Sequence, residues 1–313
     1  MIEEIMGAEE RNQQRKALTF STLAFAFCFA VWTIFSIIGI QIKEELGLND
    51  TQLGLLLGTP ILTGSLSRII LGVWADQYGG RVVFTGVMLA AALTTFLLAF
   101  SNTYLMTLVA ALGVGLAGGS FAVGVSYVST WYPKQKQGSA LGIFGIGNVG
   151  AAVTAFFAPL VLVAVGWEAV AKIWASALAI MAIVFFVFTE DDPNLTKRRL
   201  RGEKPKSFVE QLKPLKQIQV WRFSLYYFFV FGAFVALTLW LPRYLMGVYG
   251  LDIKTAGILA AVFSIASMFR AYGGHLSDKY GARVIMYLTF GVAVICTFML
   301  SYPETDYIIH GIE

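Results

Sequence analysis

Nine long apolar runs constrain this chain more than any other feature of its sequence. Each has about 20 residues or more, the length that an α-helix needs to cross the ~30 Å hydrocarbon layer of a bilayer. The runs are Leu18–Ile42, Leu53–Ala75, Val82–Phe100, Tyr104–Ser129, Ala140–Val165, Val170–Phe188, Phe223–Met246, Thr255–Leu276 and Val284–Tyr302. Because backbone groups in lipid must be satisfied within their own segment, the runs predict an all-α, polytopic membrane protein.

Composition supports a membrane location and excludes several kinds of site. Charged residues make up 13% of the 313 residues, whereas a soluble domain has about 25%. Cys28 and Cys296 both lie inside apolar runs, so no disulfide framework is implied. His275 and His310 are far apart in sequence, and no metal-ligand spacing occurs. We therefore expect no metal, no other cofactor and no nucleic-acid partner.

The lysines and arginines predict which way the chain crosses the membrane. With the N-terminus in the cytoplasm, 17 of the 23 basic residues fall in cytoplasmic segments. Three fall outside, namely Lys43, Arg243 and Lys254, and three more lie inside or near the runs. Because cytoplasmic loops carry an excess of Lys and Arg, this split predicts a multi-pass protein of the inner (cytoplasmic) membrane with its N-terminus in the cytoplasm.

A sixteen-residue segment occurs twice, and it predicts how the chain is divided. Ser67–Val82 and Phe269–Val284 are identical at seven positions, with an offset of 202 residues. One copy ends the second run and the other ends the eighth, which is typical of a parallel repeat. We therefore expect a six-helix N-terminal half over 1–189. A polar, basic cytoplasmic linker over 190–220 and the first three helices of a C-terminal half over 221–313 would follow.

Both copies contain the pattern G-x-x-x-D-x-x-G-x-R, which suits a charged turn at the membrane edge. A glycine permits close helix packing, and the charged groups that follow can link helices and separate when the protein rocks. The motif residues are Gly72, Asp76, Gly79, Arg81, Gly274, Asp278, Gly281 and Arg283. This pattern resembles the signature loop of the major facilitator superfamily. The resemblance implies a major-facilitator-type helical bundle of twelve transmembrane helices, of which nine would be present here.

Arg68 and Arg270 are the most informative charged residues. Each lies eight residues before its motif aspartate, or ~12 Å along a helix, which places both near the membrane midplane. A charge there costs ~2.5–3.5 kcal/mol on insertion scales. A structural arginine would pair with a buried carboxylate, yet no run carries Asp or Glu away from its ends. Two unpaired guanidinium groups predict an anion site. A structural role stays open, because helices beyond the nine runs could supply a carboxylate partner.

The fourth and fifth runs are rich in glycine, and Asn148 lies among the glycines of the fifth. Tight helix packing by small residues explains most of these glycines. It does not explain Asn148, a polar side chain in the middle of a run. We therefore predict that Asn148 contacts the substrate.

The segment Gly113–Pro159 resembles the nitrate/nitrite porter family of that superfamily. It contains a glycine-rich stretch, a YPKQKQG loop and GIGNVG around Asn148, and Tyr227 and Phe231 are spaced as in the seventh helix of that family. The family pattern departs at Ser120, where asparagine is usual, and its second glycine signature would lie beyond Glu313. The resemblance implies that the two arginines clamp nitrate. The implied pocket comprises Arg68, Arg270, Asn148, Tyr227, Phe121, Phe231, Gly118 and Gly119.

These patterns predict a secondary transporter that moves nitrate and/or nitrite by alternating access, with nitrate assimilation as its context. A carrier for another small oxyanion or an organic anion is the main alternative, and a non-transporting sensor or assembly subunit is a remote one. An enzyme is not expected, because no nucleophile–base or metal constellation occurs. The lack of a carboxylate inside the runs favours anion exchange over proton symport. Helices beyond the nine runs could hold a titratable group, which leaves symport open. The sequence does not predict the oligomeric state.

Overall fold

The computed structural model describes residues 2–191, 195, 201–202 and 207–300, with the side chains of residues 9–299 within those ranges. Within this described part of the chain, nine helical segments are long and apolar enough to cross a membrane. These segments, named span 1 to span 9 in chain order, are Glu9–Glu45, Asp50–Tyr78, Gly80–Leu98, Tyr104–Trp131, Lys134–Val165, Trp167–Phe188, Ile218–Tyr249, Ile253–Tyr280 and Ala282–Met299. The predicted all-α membrane bundle is confirmed.

The predicted and observed boundaries differ mainly where polar residues extend a helix beyond its apolar run. Span 2 begins at Asp50 because Asn49 forms a capping box with Gln52, which satisfies the first free backbone donors. Span 7 begins at Ile218, so its first three residues fall within the linker predicted over 190–220. The end of the predicted ninth run, three stretches of that linker (192–194, 196–200 and 203–206) and the stretch 301–313 lie outside the described residues.

Four spans are not continuous α-helices. Span 1 joins Ile2–Trp32 to Phe35–Glu45, and span 4 joins Tyr104–Val114 to Leu116–Trp131. Spans 5 and 8 each contain a stretch of 3-10 helix in the middle, at Ile146–Val149 and Ala266–Phe269 respectively. The α-helical parts on either side are Gln137–Gly145, Gly150–Val165, Ile253–Ile265 and Arg270–Tyr280. Such mid-helix 3-10 stretches often mark hinges or functional positions.

The repeated motif forms the same turn in both copies. Gly79, after span 2, has φ 104° and ψ 136°, and Gly281, after span 8, has φ 89° and ψ 139°. A residue with a Cβ rarely adopts these angles, so the glycine of the motif is required by backbone geometry. The turn then sends the chain directly into span 3 in one copy and into span 9 in the other.

Small residues allow several spans to approach closely. A Cβ on Gly64 of span 2 would lie 2.9 Å from the carbonyl oxygen of Gly115 in span 4. A Cβ on Gly142 of span 5 would lie 2.8 Å from the backbone oxygen of Arg270 and 3.1 Å from the Cα of Gly274 in span 8. Packing through small residues is the usual way in which membrane helices bring their backbones together.

The outward faces of the bundle are apolar, as contact with lipid requires. Leu105, Val163 and Ile183 are each more than half exposed, and in water such a continuous apolar surface would promote aggregation. Inside the bundle, Phe25, Phe29 and other aromatic side chains of span 1 are buried among spans 4, 5 and 7. Span 1 therefore lies at the centre of the bundle.

The glycine contact between spans 5 and 8 leads to a first prediction. A Cβ on Gly274 would lie 3.0 Å from the Gly142 Cα and closer still to the Gly138 carbonyl oxygen, and backbone atoms cannot move aside cheaply. Gly274→Ala should therefore destabilise the protein by about 1–3 kcal/mol, the usual cost of overpacking. Thermal unfolding of the purified protein in detergent measures this as a lower Tm.

The neighbouring glycine provides the matched control. Nothing lies within 4 Å of a Cβ on Gly273, so Gly273→Ala should keep or slightly raise the Tm, because alanine favours helix more than glycine. Equal effects of the two substitutions would show that spans 5 and 8 do not pack through this contact.

Candidate functional site

The structure brings Arg68 and Arg270 close to the same aromatic ring. The Cζ of Arg68 in span 2 lies 5.4 Å from the ring centroid of Phe231 in span 7, and the Cζ of Arg270 in span 8 lies 5.7 Å from it. Each arginine lies ten residues before the end of its span, which is ~15 Å along a helix. Both guanidinium groups are therefore close to the middle of a ~30 Å hydrocarbon layer.

Arg68 is held by a backbone carbonyl and by aromatic rings. Its Nε donates to the carbonyl oxygen of Gly118 at 3.1 Å, and its Cζ lies 5.7 Å from the ring of Trp32 and 5.5 Å from that of Phe121. Arginine over an aromatic face gains electrostatic attraction that increases when water is excluded. Within the part of the chain that the structure describes, no carboxylate lies within ion-pair distance of Arg68 or Arg270.

Three stacked aromatic rings form a wall beside the arginines. Tyr227 and Phe231 lie one turn apart on span 7 with ring centroids 4.9 Å apart, and Phe121 of span 4 lies 6.0 Å from Tyr227 and 6.3 Å from Phe231. Tyr227 keeps 37% of its surface exposed. The structure therefore assembles five of the predicted residues, Arg68, Arg270, Phe121, Tyr227 and Phe231, around one place.

Two cavities meet at Arg68. One, of about 630 Å³, is lined by Trp32, Gly54, Ser65 and Trp240 among others, together with Arg68 and Tyr227. The other, of about 840 Å³, is lined by Asp76, Ser126 and Glu210 as well as Arg68 and Tyr227. A solute in either cavity would meet the Arg68 guanidinium and the Tyr227 side chain.

Asn148 lies in a stretch of span 5 that packs against spans 1 and 8. It belongs to the 3-10 stretch of span 5, which packs against the 3-10 stretch of span 8. A Cβ on Gly145, three residues earlier, would lie 3.2 Å from the Cδ of Arg270, so this arginine side chain crosses span 5 just before Asn148. Asn148 is fully buried, and neither its amide nitrogen nor its amide oxygen has a hydrogen-bond partner among the described residues.

Gly118 and Gly119 lie against other spans, and their predicted contact with substrate stays a prediction. A Cβ on Gly118 would lie 2.5 Å from the indole of Trp32, and one on Gly119 would lie 2.5 Å from the Ser67 Oγ. Both glycines therefore let span 4 approach spans 1 and 2 closely. For Gly118 this approach has a second effect, because it brings the carbonyl group to Arg68.

The two motif aspartates have different partners. Asp278 accepts hydrogen bonds from the backbone N–H of Gly138 at 2.9 Å and from the backbone N–H and hydroxyl of Ser139, both at 2.6 Å. It therefore caps the α-helix of span 5 that begins at Gln137, where a negative charge is favoured. Asp76 accepts from the Ser126 hydroxyl of span 4 at 2.7 Å. Arg81 donates two hydrogen bonds to the Phe186 carbonyl oxygen.

Sequence reasoning missed two features of the structure. Trp32, which contacts Arg68, was not distinguished from other aromatic residues in the first run. At the opposite end of the bundle, one oxygen of Asp50 accepts from Lys43 Nζ at 2.7 Å and from Arg243 Nη2 at 2.6 Å. The distribution of lysine and arginine places Lys43 and Arg243 on the same side of the membrane. This is the one sequence observation that is consistent with a shared partner.

Comparisons with known proteins identify the superfamily of the chain. Residues 20–309 match the family model for the Major Facilitator Superfamily. The chain is 42% identical to the probable nitrate/nitrite antiporter NarK1 of Thermus thermophilus, over 96% of this chain and 70% of that protein. It is 30% identical to the nitrite extrusion protein of Bacillus subtilis, over 94% of this chain and 73% of that protein.

A solved structure supports the same fold. A bacterial homologue of the human lysosomal transporter Spinster superposes with a TM-score of 0.65 at 22% identity, over 87% of this chain. The chain spans 64% of the length of that homologue. The prediction that this is not an enzyme is confirmed by the similar curated proteins, whose names describe transport or extrusion.

The unpaired amide of Asn148 leads to a second prediction. A buried polar group without a partner costs about 1–3 kcal/mol, so an apolar side chain of similar size should remove that cost. Asn148→Leu is therefore expected to keep or raise the Tm of the purified protein, measured by thermal unfolding without added anion.

A neighbouring polar residue of span 5 serves as the control. Thr154 donates to the Ala30 carbonyl oxygen at 2.7 Å and accepts from Trp174 Nε1 at 2.9 Å, so Thr154→Val should lower the Tm. A loss of stability in Asn148→Leu as large as in Thr154→Val would mean that Asn148 holds the helices together.

Proposed function

The chain belongs to the major facilitator superfamily, and from that premise we propose that it carries nitrate and/or nitrite across the cytoplasmic membrane by alternating access. The observation that carries the proposal is the position of Arg68 and Arg270 within 6 Å of the same ring, that of Phe231. No carboxylate neutralises them within the described residues. The names of the relatives, which describe nitrate and nitrite transport, support the choice of anion.

The chemistry of the pocket suits a small planar oxyanion. A guanidinium group presents its N–H donors in one plane, so it can bind two oxygens of such an anion at once. The aromatic wall of Phe121, Tyr227 and Phe231 excludes water on one side, and charge interactions strengthen where the effective dielectric is low. An anion between the arginines would therefore offset much of the cost of holding two positive charges in the membrane.

That charge balance favours exchange as the mode of transport. With the site empty, closing the pocket would bring two positive charges together in a poorly solvated place, which raises the barrier to an unloaded return. With an anion bound, the same closure is favourable. No carboxylate that could carry a proton lies away from the ends of the nine spans in the sequence. We therefore propose that the protein carries one of the two anions, nitrate or nitrite, inward and carries the other outward on the return step.

Bridges at both ends of the bundle supply the gates that alternating access requires. At one end Asp50 of span 2 contacts Arg243 of span 7, and at the other Asp278 of span 8 caps span 5. Each bridge joins one of the first six spans to one of the last three. If these groups of spans move as two halves, one bridge breaks whenever its end opens. The excess of basic residues assigns the Asp278 end, and with it the N-terminus, to the cytoplasm.

The cavity dimensions favour a second candidate, a larger organic anion. The cavities of about 630 and 840 Å³ on the two sides of Arg68 exceed what a three-oxygen anion needs. Small ligands typically occupy pockets of about 300–1,000 Å³. The pair of arginines would bind a carboxylate equally well, and the apolar wall would then contact the rest of the molecule.

The arginine pair leads to the third prediction. Arg68→Lys and Arg270→Lys keep the charge but lose the bidentate geometry, so each should reduce uptake of labelled nitrate roughly tenfold or more, in line with the loss of one strong charged hydrogen bond. The measurement is flux into liposomes that contain the intact protein. Arg222→Lys, at an exposed position beside Phe223, is the matched control and should leave the flux unchanged.

The same liposomes test the function itself. Uptake of labelled nitrate should require internal nitrite or nitrate and should be insensitive to an acid-outside gradient. Uptake into anion-free vesicles driven by that gradient would replace exchange with symport. Transport of carboxylates but neither nitrate nor nitrite would favour the organic-anion carrier, and near-normal flux through Arg68→Lys would refute the arginine clamp.

The fourth prediction concerns the two bridges. Asp50→Asn removes the charge that Lys43 and Arg243 share and should favour opening at that end. Asp278→Asn weakens the cap on span 5 and should favour opening at the other end. The substitution Gly54→Cys supplies a reporter cysteine for labelling. Gly54 lines the same cavity as Trp240, and a Cβ added there has nothing within 4 Å. Labelling of this cysteine from outside intact cells should rise in Asp50→Asn and fall in Asp278→Asn.

The background of this experiment needs one further substitution. Cys296 is exposed and is replaced by serine, whereas Cys28 is buried and can stay. Changes of the same sign in the two variants would contradict two gates that open in turn.

A further inference from the structure

Two serines of span 8 have a buried hydroxyl oxygen without a hydrogen-bond partner. Ser264 is buried as a whole residue, and Ser267 is half-buried. Hydroxyl groups in membrane helices commonly donate to a carbonyl of the preceding turn, as Thr95 does to Ala91 and Thr238 does to Phe234. The Oγ atoms of Ser264 and Ser267 have no partner among the described residues. Native structures contain few such groups, and each calls for a physical explanation.

The local backbone aligns Ser267 with Arg270. The stretch Ala266–Phe269 is a 3-10 helix, in which residues three apart lie directly above one another. Ser267 therefore lies on the face of span 8 that continues into Arg270, and Ser264 precedes it by another three residues. The 3-10 stretch of span 8 packs against the 3-10 stretch of span 5 that carries the unpaired amide of Asn148.

The repeat places a serine at the same position in the first half of the chain. Ser267 minus the offset of 202 residues is Ser65, so both copies read Ser-x-x-Arg, with Arg68 in the first and Arg270 in the second. Ser65 and Arg68 both line the cavity of about 630 Å³. In each copy a serine thus lies one helical turn before the arginine, on the side away from the motif aspartate.

We propose that Ser267 is a specificity-determining residue of the anion site, whose hydroxyl donates a hydrogen bond to an oxyanion held by Arg270. Ser65 has the equivalent position beside Arg68. This inference rests on the proposed function and deepens it. An unpaired buried hydroxyl is costly in the empty protein, and a bound anion removes that cost by accepting its hydrogen bond.

The Ser267 hydroxyl distinguishes nitrate from nitrite because the two anions differ in their number of oxygen atoms. Nitrate has three oxygen atoms, so two can face the guanidinium forks while the third accepts from a hydroxyl. Nitrite has two oxygens, and with both turned towards the arginines only its nitrogen lone pair remains. A hydroxyl beside Arg270 therefore favours nitrate. A site built to donate to a particular substrate oxygen selects strongly against an analogue that lacks it.

Binding measurements on the purified, intact protein test the proposal. Dissociation constants for nitrate and nitrite are measured by calorimetry for the wild type, Ser267→Ala and Ser267→Thr. Ser176→Ala is the control, because the Ser176 hydroxyl is already satisfied by the Lys172 carbonyl oxygen at 2.8 Å. Ser267→Ala should weaken nitrate binding roughly tenfold, the effect of one hydrogen bond to a charged group, and nitrite binding distinctly less. Ser267→Thr and Ser176→Ala should resemble the wild type.

The alternative is a structural role, in which Ser267, Ser264 and Asn148 hold a buried water molecule between the spans. Ser267→Ala would then lower the Tm while the ratio of the nitrate and nitrite dissociation constants stayed the same, and the proposal would be overturned. Normal binding of both anions by the wild type, with no change in Ser267→Ala, overturns this inference alone. A wild-type protein that binds neither anion overturns the proposed function as well.

Discussion

The cost of placing two guanidinium charges near the middle of a membrane governs much of this structure. Arg68 and Arg270 each lie ten residues before the end of their spans, near the membrane midplane where charge is expensive, and the described residues supply no carboxylate to either. The protein instead surrounds Arg68 with the faces of Trp32, Phe121 and Phe231 and with one carbonyl oxygen. These weaker partners stabilise the charge without neutralising it, so an anion can still bind.

The glycines of span 4 follow from this arrangement. The carbonyl group of Gly118 reaches Arg68 only because span 4 approaches spans 1 and 2 so closely that a Cβ on Gly118 would meet Trp32. The same indole donates to the Pro60 carbonyl oxygen at 2.9 Å, which fixes it beside Arg68. The close packing of span 4 against spans 1 and 2 therefore also supplies Arg68 with its hydrogen-bond acceptor.

The spans were predictable, whereas the contacts between them were not. Hydropathy and length identify a membrane helix from local sequence alone, and all nine predicted runs are helical within the described residues. The repeat also predicted the glycine turns at Gly79 and Gly281. It could not predict that Asp278 caps span 5 while Asp76 bonds to Ser126, because partners between distant helices depend on packing that no local pattern encodes. The 3-10 stretches of spans 5 and 8 were unexpected for the same reason.

The different partners of Asp278 and Asp50 have a consequence for the proposed transport cycle. Asp278 receives three hydrogen bonds at the beginning of a helix in span 5, and two of them come from backbone groups that would otherwise lack partners. The Asp50–Arg243 bridge joins side chains that water solvates well when they separate, and exposed ion pairs contribute little to stability. In the proposed transport cycle, opening the Asp278 end would break three hydrogen bonds, whereas opening the Asp50 end would break the contact with Arg243 and keep that with Lys43. An anion bound between Arg68 and Arg270 would have to supply the difference in free energy between the two openings, because a ligand shifts a conformational equilibrium only by its difference in affinity for the two states.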